Sequence, residues 1–345
     1  MGRPNWRSFF RASACVLVIL AALLLATPSC RSDAPSPTRE PTPTEFVQPT
    51  GTTPVPSEGE PTGNPAMENR DYWVDPTGNN DGPGTRDQPL RTISRAADLA
   101  RPGDRVVIRD GVYDEVVSLV QSGTAEHPIV FEAENRHGAV LTGESNHFRP
   151  FSPGYGKHIV LRGFWFRDCP LHPSGMYGAQ VVMPNTGWRV EDCRFTRCGV
   201  GIGYSTGSID TSNITVLRCV FEDMAVTASW AWAGPGQRME GHRIQDTILR
   251  RCNTLNLDPG FGAMGMKYGY TRNLVADGVI SYDNNGIGFW LDWNNENFLV
   301  QNCTFFGNHA GMAYANFTDN QLRNQKWAGV GFASEGNPSG RFLGN

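Results

Sequence analysis

Between Lys157 and Lys326 the chain carries one lysine, Lys267. An isolated amine suits two tasks: taking a proton from a carbon acid, or gripping an acidic group. Arg272, five residues on, is the second candidate for either. Residues 290–296 then gather Trp290, Asp292, Trp293 and Glu296. Indole rings, with the phenol of Tyr270, are surfaces on which a sugar can stack. Asp258, Asp292 and Glu296 offer hard carboxylate oxygens of the kind that bind calcium, and two of them placed across a glycosidic bond would suit hydrolysis. Plainer readings stand beside these: a solvated lysine, a tryptophan packed under a loop, an aspartate capping a turn. The seven histidines are dispersed without zinc spacing, and no phosphate-binding glycine loop or nucleophile elbow appears. The formal charge is −4 with no basic stripe, so nucleic acid is not an expected partner.

The elements that hold these residues repeat. An aliphatic residue, a small residue three on and a large apolar residue five on recur from anchors Val160, Val190, Val216, Ile244, Val275 and Val300. The third-on residues are Gly163, Cys193, Cys219, Thr247, Gly278 and Cys303, and the fifth-on residues Trp165, Phe195, Phe221, Leu249, Ile280 and Phe305. A loose repeat of 25 to 31 residues marks a solenoid. A polar column, Arg162, Asp192, Arg218, Asp246, Asp277 and Asn302, fits a bend between two short strands. No interval contains an amphipathic helix to cross between parallel strands. The expected fold is therefore all-β, a single-stranded parallel β-helix whose inward side chains stack rung upon rung. Second apolar runs follow twelve and fourteen residues after the anchors, with Trp230 among the inward positions. The copy at Ile244 carries an insertion of ten residues over about 254–263, a loop of the kind that gathers on a binding face. Discounting it, Lys267 points outward in a column with Gly203, Ser229, Gly288 and Ala313, and Trp290 is outward one rung away. A lone cation among small residues reads as the floor of a groove.

The ends of the chain read differently. Residues 1–29 have Arg3, Arg7 and Arg11 before an apolar stretch too short to span a membrane. With Cys30 in Ala-Thr-Pro-Ser-Cys they resemble a lipoprotein signal, which implies lipidation of Cys30 and a membrane anchor at the cell surface; plain secretion is the alternative. Removing that segment takes three arginines and no acids, so −4 becomes −7. Residues 30–69, rich in Pro, Thr and Ser, read as a disordered tether. Residues 70–150 read as an N-terminal cap and first rungs, 151–317 as the repeats and 318–345 as a tail without a cap helix. The cap is a short helix with Ile93, Ala96, Ala97 and Ala100 on one face. Cys193, Cys219 and Cys303 share a column and read as stacked buried thiols, with a Cys193–Cys219 bridge geometrically allowed.

Tyr72-Trp73-Val74-Asp75-Pro76, Gly84-Thr85, Pro89-Leu90, Thr92-Ile93 and Pro102-Gly103-Asp104 resemble the start of secreted bacterial right-handed parallel β-helix proteins of the pectate-lyase superfamily. Lys267-Tyr268-Gly269, Thr271-Arg272-Asn273 and Asn285 to Asp292 carry the likeness on, over about residues 72–316. The resemblance implies a right-handed solenoid that engages polysaccharide. Its enzymatic form is a calcium-assisted uronate lyase acting on an acidic polysaccharide as a monomer. Lys267 or Arg272 is then the base, and Asp258, Asp292 and Glu296 lie near the metal. Trp290, Trp293 and Tyr270 hold sugar. The same scaffold also carries hydrolases, epimerases and non-catalytic surface modules, which remain alternatives. The acidic motifs of polygalacturonases do not occur together, and only Asp258-Pro259 matches the start of the alginate-epimerase motif.

Overall fold

A computed structural model describes residues 69–345 except 144–146, 151–153, 172–178, 183–185, 206–210, 234–238, 258–263, 309–331 and 335–338. Residues 1–29, expected to form a signal, Cys30 and most of the expected tether of residues 30–69 lie outside the described residues. The chain coils as a right-handed all-β solenoid. Each turn gives one strand to each of three parallel sheets: Arg189–Glu191, then Arg194–Thr196, then Val200–Ser205, before the return at Thr215–Leu217. Sheet 1 has ten strands, from Asp71–Val74 to Gly340–Leu343. Sheet 2 has eight, from Gly111–Tyr113 to Thr304–Phe306, and sheet 3 has eight, from Val117–Leu119 to Phe332–Ser334.

Left-handed backbone makes the corners. Between sheets 1 and 2 the positive φ falls on Gly163, Asp192, Arg218, Asp246, Gly278 and Asn302, and between sheets 2 and 3 on Asp168, Arg197, Asp223, Arg251, Asp283 and Gly307. Gly, Asn and Asp enter this region at least cost. Arginines at the same corners pair with the aspartates one rung below: Arg218 with Asp192 (2.7 Å) and Arg251 with Asp223 (2.6 Å). The Arg218 guanidinium, opposed by partial burial, holds the Asp192 carboxyl below its ordinary range.

These corners correct two of the six anchors. The in-register column of sheet 1 is Leu161, Val190, Val216, Ile244, Ala276 and Val300, so Val160 and Val275 each sit one residue early. Gly163 and Gly278 are then not small inward residues but the corner itself. Phe164 and Val279 fill the inward places beside Cys193, Cys219, Thr247 and Cys303. Sheet 2 follows suit: Phe166, Phe195 and Phe221 stack with centroids 4.5 Å apart, while Trp165 and Ile280 face outward. A small residue can be small for packing or for conformation, and here the glycines are small for conformation.

All six described cysteines are buried free thiols, so the Cys193–Cys219 bridge is not formed. Burial pushes the Cys252 thiol up to about 12. The helix Ile93–Leu99 buries Ile93, Ala96 and Ala97 against the first strands. Thr92 caps it, and the Glu115 carboxylate accepts from the backbone N–H groups of Ile93 and Ser94 at 2.9 Å. At the other end the expected tail extends the solenoid: Phe332–Ser334 pairs with Phe289–Leu291, and Gly340–Leu343 with Phe298–Gln301.

Candidate functional site

Lys267 lies on the strand Met266–Gly269 of sheet 3. Alternation along a strand decides its direction. Met266 and Tyr268 are fully buried, and the Tyr268 hydroxyl shares a 3.0 Å hydrogen bond with Ser229 inside the coil. Lys267 therefore faces out, as expected. Its neighbours are not small. The register sets it between Trp230 and Trp290, in the column Gly203, Trp230, Lys267, Trp290 and Ala333. Ser229 belongs to the inward column with Ile202, Met266 and Phe289. Counting from the anchors across loops of unequal length slid these positions and turned Trp230 inward on paper.

The ammonium is closely held. Lys267 Nζ lies 2.8 Å from Asp292 Oδ2, 3.9 Å from the centre of the Trp290 ring and 5.7 Å from that of Trp232. The lysine side chain is 12% exposed and that of Asp292 7%. The other carboxylate oxygen, Oδ1, is buried and accepts no hydrogen bond from a described residue. Asn295 fixes the loop that carries Asp292. Its amide donates to the Tyr268 carbonyl (3.1 Å) and the Asp292 carbonyl, and its Oδ1 accepts from the Thr271 N–H (3.0 Å). Asn295 is fully buried, so this bracket is part of the core.

Two of the expected groupings come apart. Arg272 sits on the small sheet formed by Met239–Glu240 and Thr271–Arg272, where it pairs with Glu296 at 3.2 Å. Asp292 and Glu296 thus hold two different cations, and Asp258 lies outside the described residues. Calcium takes six to eight oxygen ligands. Among the described residues no three acidic, His or Cys side chains gather to hold a metal, and the carboxylate beside Lys267 is one. The described residues alone do not fit that ion. Trp290, only 4% exposed, packs with Met264 and Ile287 and serves the lysine rather than an open stacking surface. The open rings are Trp293, 54% exposed, and Trp232, 37% exposed. Gly269 and Asn295 do not figure in the expected site, and Trp232 supports stacking there only if it shares a face with Trp230, as its place two residues on in the same strand requires.

Known proteins resemble the chain along its length. A family model described as "Pel9A-like, right handed beta helix region" matches residues 72–261. The uncharacterized protein YwoF of Bacillus subtilis is 25% identical over 299 residues, covering 75% of this chain and 64% of that protein. Pectate lyase PEL9 of Emericella nidulans is 35% identical over 82 residues, covering 23% of this chain and 20% of the lyase. The chain therefore spans less than two thirds of the length of either relative. Among solved structures, the complex of XylC with xylose superposes with a TM-score of 0.51 at 14% identity, over 68% of this chain and 62% of that one; that likeness is one of fold. With the family match covering more than half of the sequence, the chain belongs to the Pel9A-like right-handed β-helix family.

Proposed function

We propose that this protein engages an acidic polysaccharide on the outer face of sheet 3 and cleaves it by β-elimination, with Lys267 as the base. The supporting observation is the placement of Lys267: the described lysine of the later rungs, outward on a parallel sheet, 5.7 Å from the centre of the exposed Trp232 ring. In such a reaction the amine takes the proton from the carbon beside a uronate carboxylate. A carbon–carbon double bond forms there, the bond to the glycosidic oxygen breaks, and that oxygen leaves with a proton from solvent. Both present contacts of Nζ, to Asp292 and to the Trp290 ring, are contacts of an ammonium. A base role requires bound substrate to loosen them. The pectate lyases among the relatives favour an acidic substrate.

The test is ultraviolet absorbance of unsaturated uronate on a panel of acidic polysaccharides, with and without calcium. Product is expected, and Lys267→Ala should lower its rate at least about 100-fold. Product at an undiminished rate in that variant would remove Lys267 as the base. A second reading, a non-catalytic carbohydrate-binding module, is favoured by the same ion pair, which holds the lysine between a carboxylate and a ring. It predicts binding without product on any substrate. Either role suits an exported protein anchored at Cys30. Cys30→Ser should then move the protein from the membrane to the soluble fraction, and an unchanged membrane fraction would argue against the anchor.

A further inference from the structure

Trp232 ends the strand Thr227–Trp232 and is built into its position from two sides. Its ring lies over Gly269 of the next rung. A Cβ at Gly269 would sit 2.7 Å from both Cε3 and Cζ3 of the indole, closer than carbon atoms pack. The Gly269 backbone is not left-handed, so the missing side chain provides room rather than conformation. Tyr270 braces the ring edge-on, with centroids 5.1 Å apart and planes at 79°. Tyr270 is itself left-handed, with φ of 60°, which is uncommon for a large side chain and costs on the order of 1 kcal/mol or more. It is held there by its N–H to the Trp293 carbonyl (2.8 Å) and its carbonyl to the Met239 N–H (3.1 Å). Tyr270 thus takes the same left-handed corner conformation as Arg197, Arg218 and Arg251, and that corner fixes its ring against Trp232.

The polar side of this platform is the ion pair already described. Lys267 Nζ lies 5.7 Å from the Trp232 ring centre, and Asp292 keeps one oxygen on the ammonium and one without a donor among the described residues. The Lys267 ammonium therefore sets a hydrogen-bond donor beside the ring, and Asp292 holds it in place. A flat apolar ring with a charged donor beside it matches one ligand chemistry well: a pyranose, whose C–H face stacks on indole while its oxygens reach outward.

We infer that Trp232, seated on Gly269 and braced by Tyr270, is a sugar-stacking subsite that takes one pyranose ring of the bound chain. This rests on the carbohydrate reading of the same face but not on the elimination. The experiment is calorimetric titration of the full chain with trigalacturonate and with the uncharged xylotriose, for wild type, Trp232→Ala, Gly269→Ala and the double variant, each with a thermal melt. Wild type should bind at least one of the two. Trp232→Ala should weaken that binding about tenfold or more, roughly the strength of one stacking contact. Gly269→Ala should weaken it several-fold by tilting the ring, and the double variant should bind no worse than Trp232→Ala alone, because the two changes act through one ring. If Trp232→Ala fails to fold, Trp232→Tyr, which retains a platform, should keep most of the affinity that Gly269→Ala loses. Wild-type affinity in either single variant, additive losses, or no binding of either sugar by wild type would overturn the subsite. Unsaturated product with a KM indifferent to Trp232 would leave the elimination standing and remove the subsite. Affinity that follows Trp232 without product would do the reverse.

Discussion

Two buried carboxylates on the outside of this solenoid are treated in opposite ways. Glu222, on sheet 2, is 2% exposed. Its Oε1 accepts from Arg194 Nε (2.7 Å) and Thr196 Oγ1 (3.2 Å), and its Oε2 from Arg250 Nε (2.9 Å) and the Arg251 guanidinium (3.4 Å). Asp292, on the loop after a sheet 3 strand, is 5% exposed and has one oxygen on Lys267, the other bare among the described residues. The first arrangement spans three rungs and leaves no acceptor open, as expected where a charge is kept only to hold a fold. The second surrounds one ion pair with indole rings and leaves one buried oxygen without a donor among the described residues. On sheet 2 several arginines share one acid, whereas on sheet 3 one acid and two rings hold one lysine.

The comparison is broken most forcefully at Glu222. Glu222→Gln leaves three guanidinium groups facing one neutral amide. The expected loss of stability is about 3 kcal/mol, toward the low end for a buried pair because the arginines are 30% to 44% exposed and water screens them. Denaturant unfolding measures it, and a loss under about 1 kcal/mol would mean that the cluster is not structural.

A third buried ionisable group sharpens the contrast because it has no charge to balance. His242 occupies an inward position after the corner at Gly241, in the column where neighbouring rungs place Ile214 and Leu274. Burial lowers its pKa from 6.5 to about 4. The unfolded chain therefore takes up the proton first as pH falls. The contribution of His242 is complete above about pH 6.5 and is lost on acidification toward pH 4, up to about 3 kcal/mol. His242→Leu should reduce the slope of the stability profile across that window, leaving His137, whose pKa burial also lowers, and the carboxylates, whose own losses come lower. An unchanged slope in unfolding midpoints between pH 6.5 and 4.5 would show that the histidine does not titrate there.

Much of the coil could be read from residues alone, because stacking forces equivalent positions to be alike. Val190, Val216 and Ile244, and Phe195 with Phe221, each recur where the rungs require them. The reading fails at Gly163 and Gly278, where one residue type answers two demands, and separately at Trp230, where loops of unequal length displace the count in sheet 3. For the site, Lys267 facing outward and Trp290 one rung away were legible from alternation. The Lys267–Asp292 contact was not, since Asp292 follows its strand and its direction is set by Asn295 through bonds to three separate backbone groups. Nor was the ring of Trp232 over Gly269, which depends on register between rungs 37 residues apart in sequence.

The finest discrimination comes from Asp292→Asn. The substitution keeps the shape and one acceptor but removes the charge, and the Lys267 ammonium retains the Trp290 face at 3.9 Å. The pair is buried, its side chains 12% and 7% exposed, but only one cation is left facing the amide, so the unfolding free energy should fall by about 2 kcal/mol, less than at Glu222. Sugar affinity or turnover of the folded variant should fall as well, because Asp292 holds the Lys267 ammonium beside the Trp232 ring. The matched measurement is the ratio of functional to stability loss in Asp292→Asn and in Glu222→Gln. If Asp292→Asn unfolds the protein as readily as Glu222→Gln and binding follows stability, the two carboxylates are the same kind of brace. A folded Asp292→Asn with impaired binding separates them: one acid closes the coil and the other faces what the coil was built to hold.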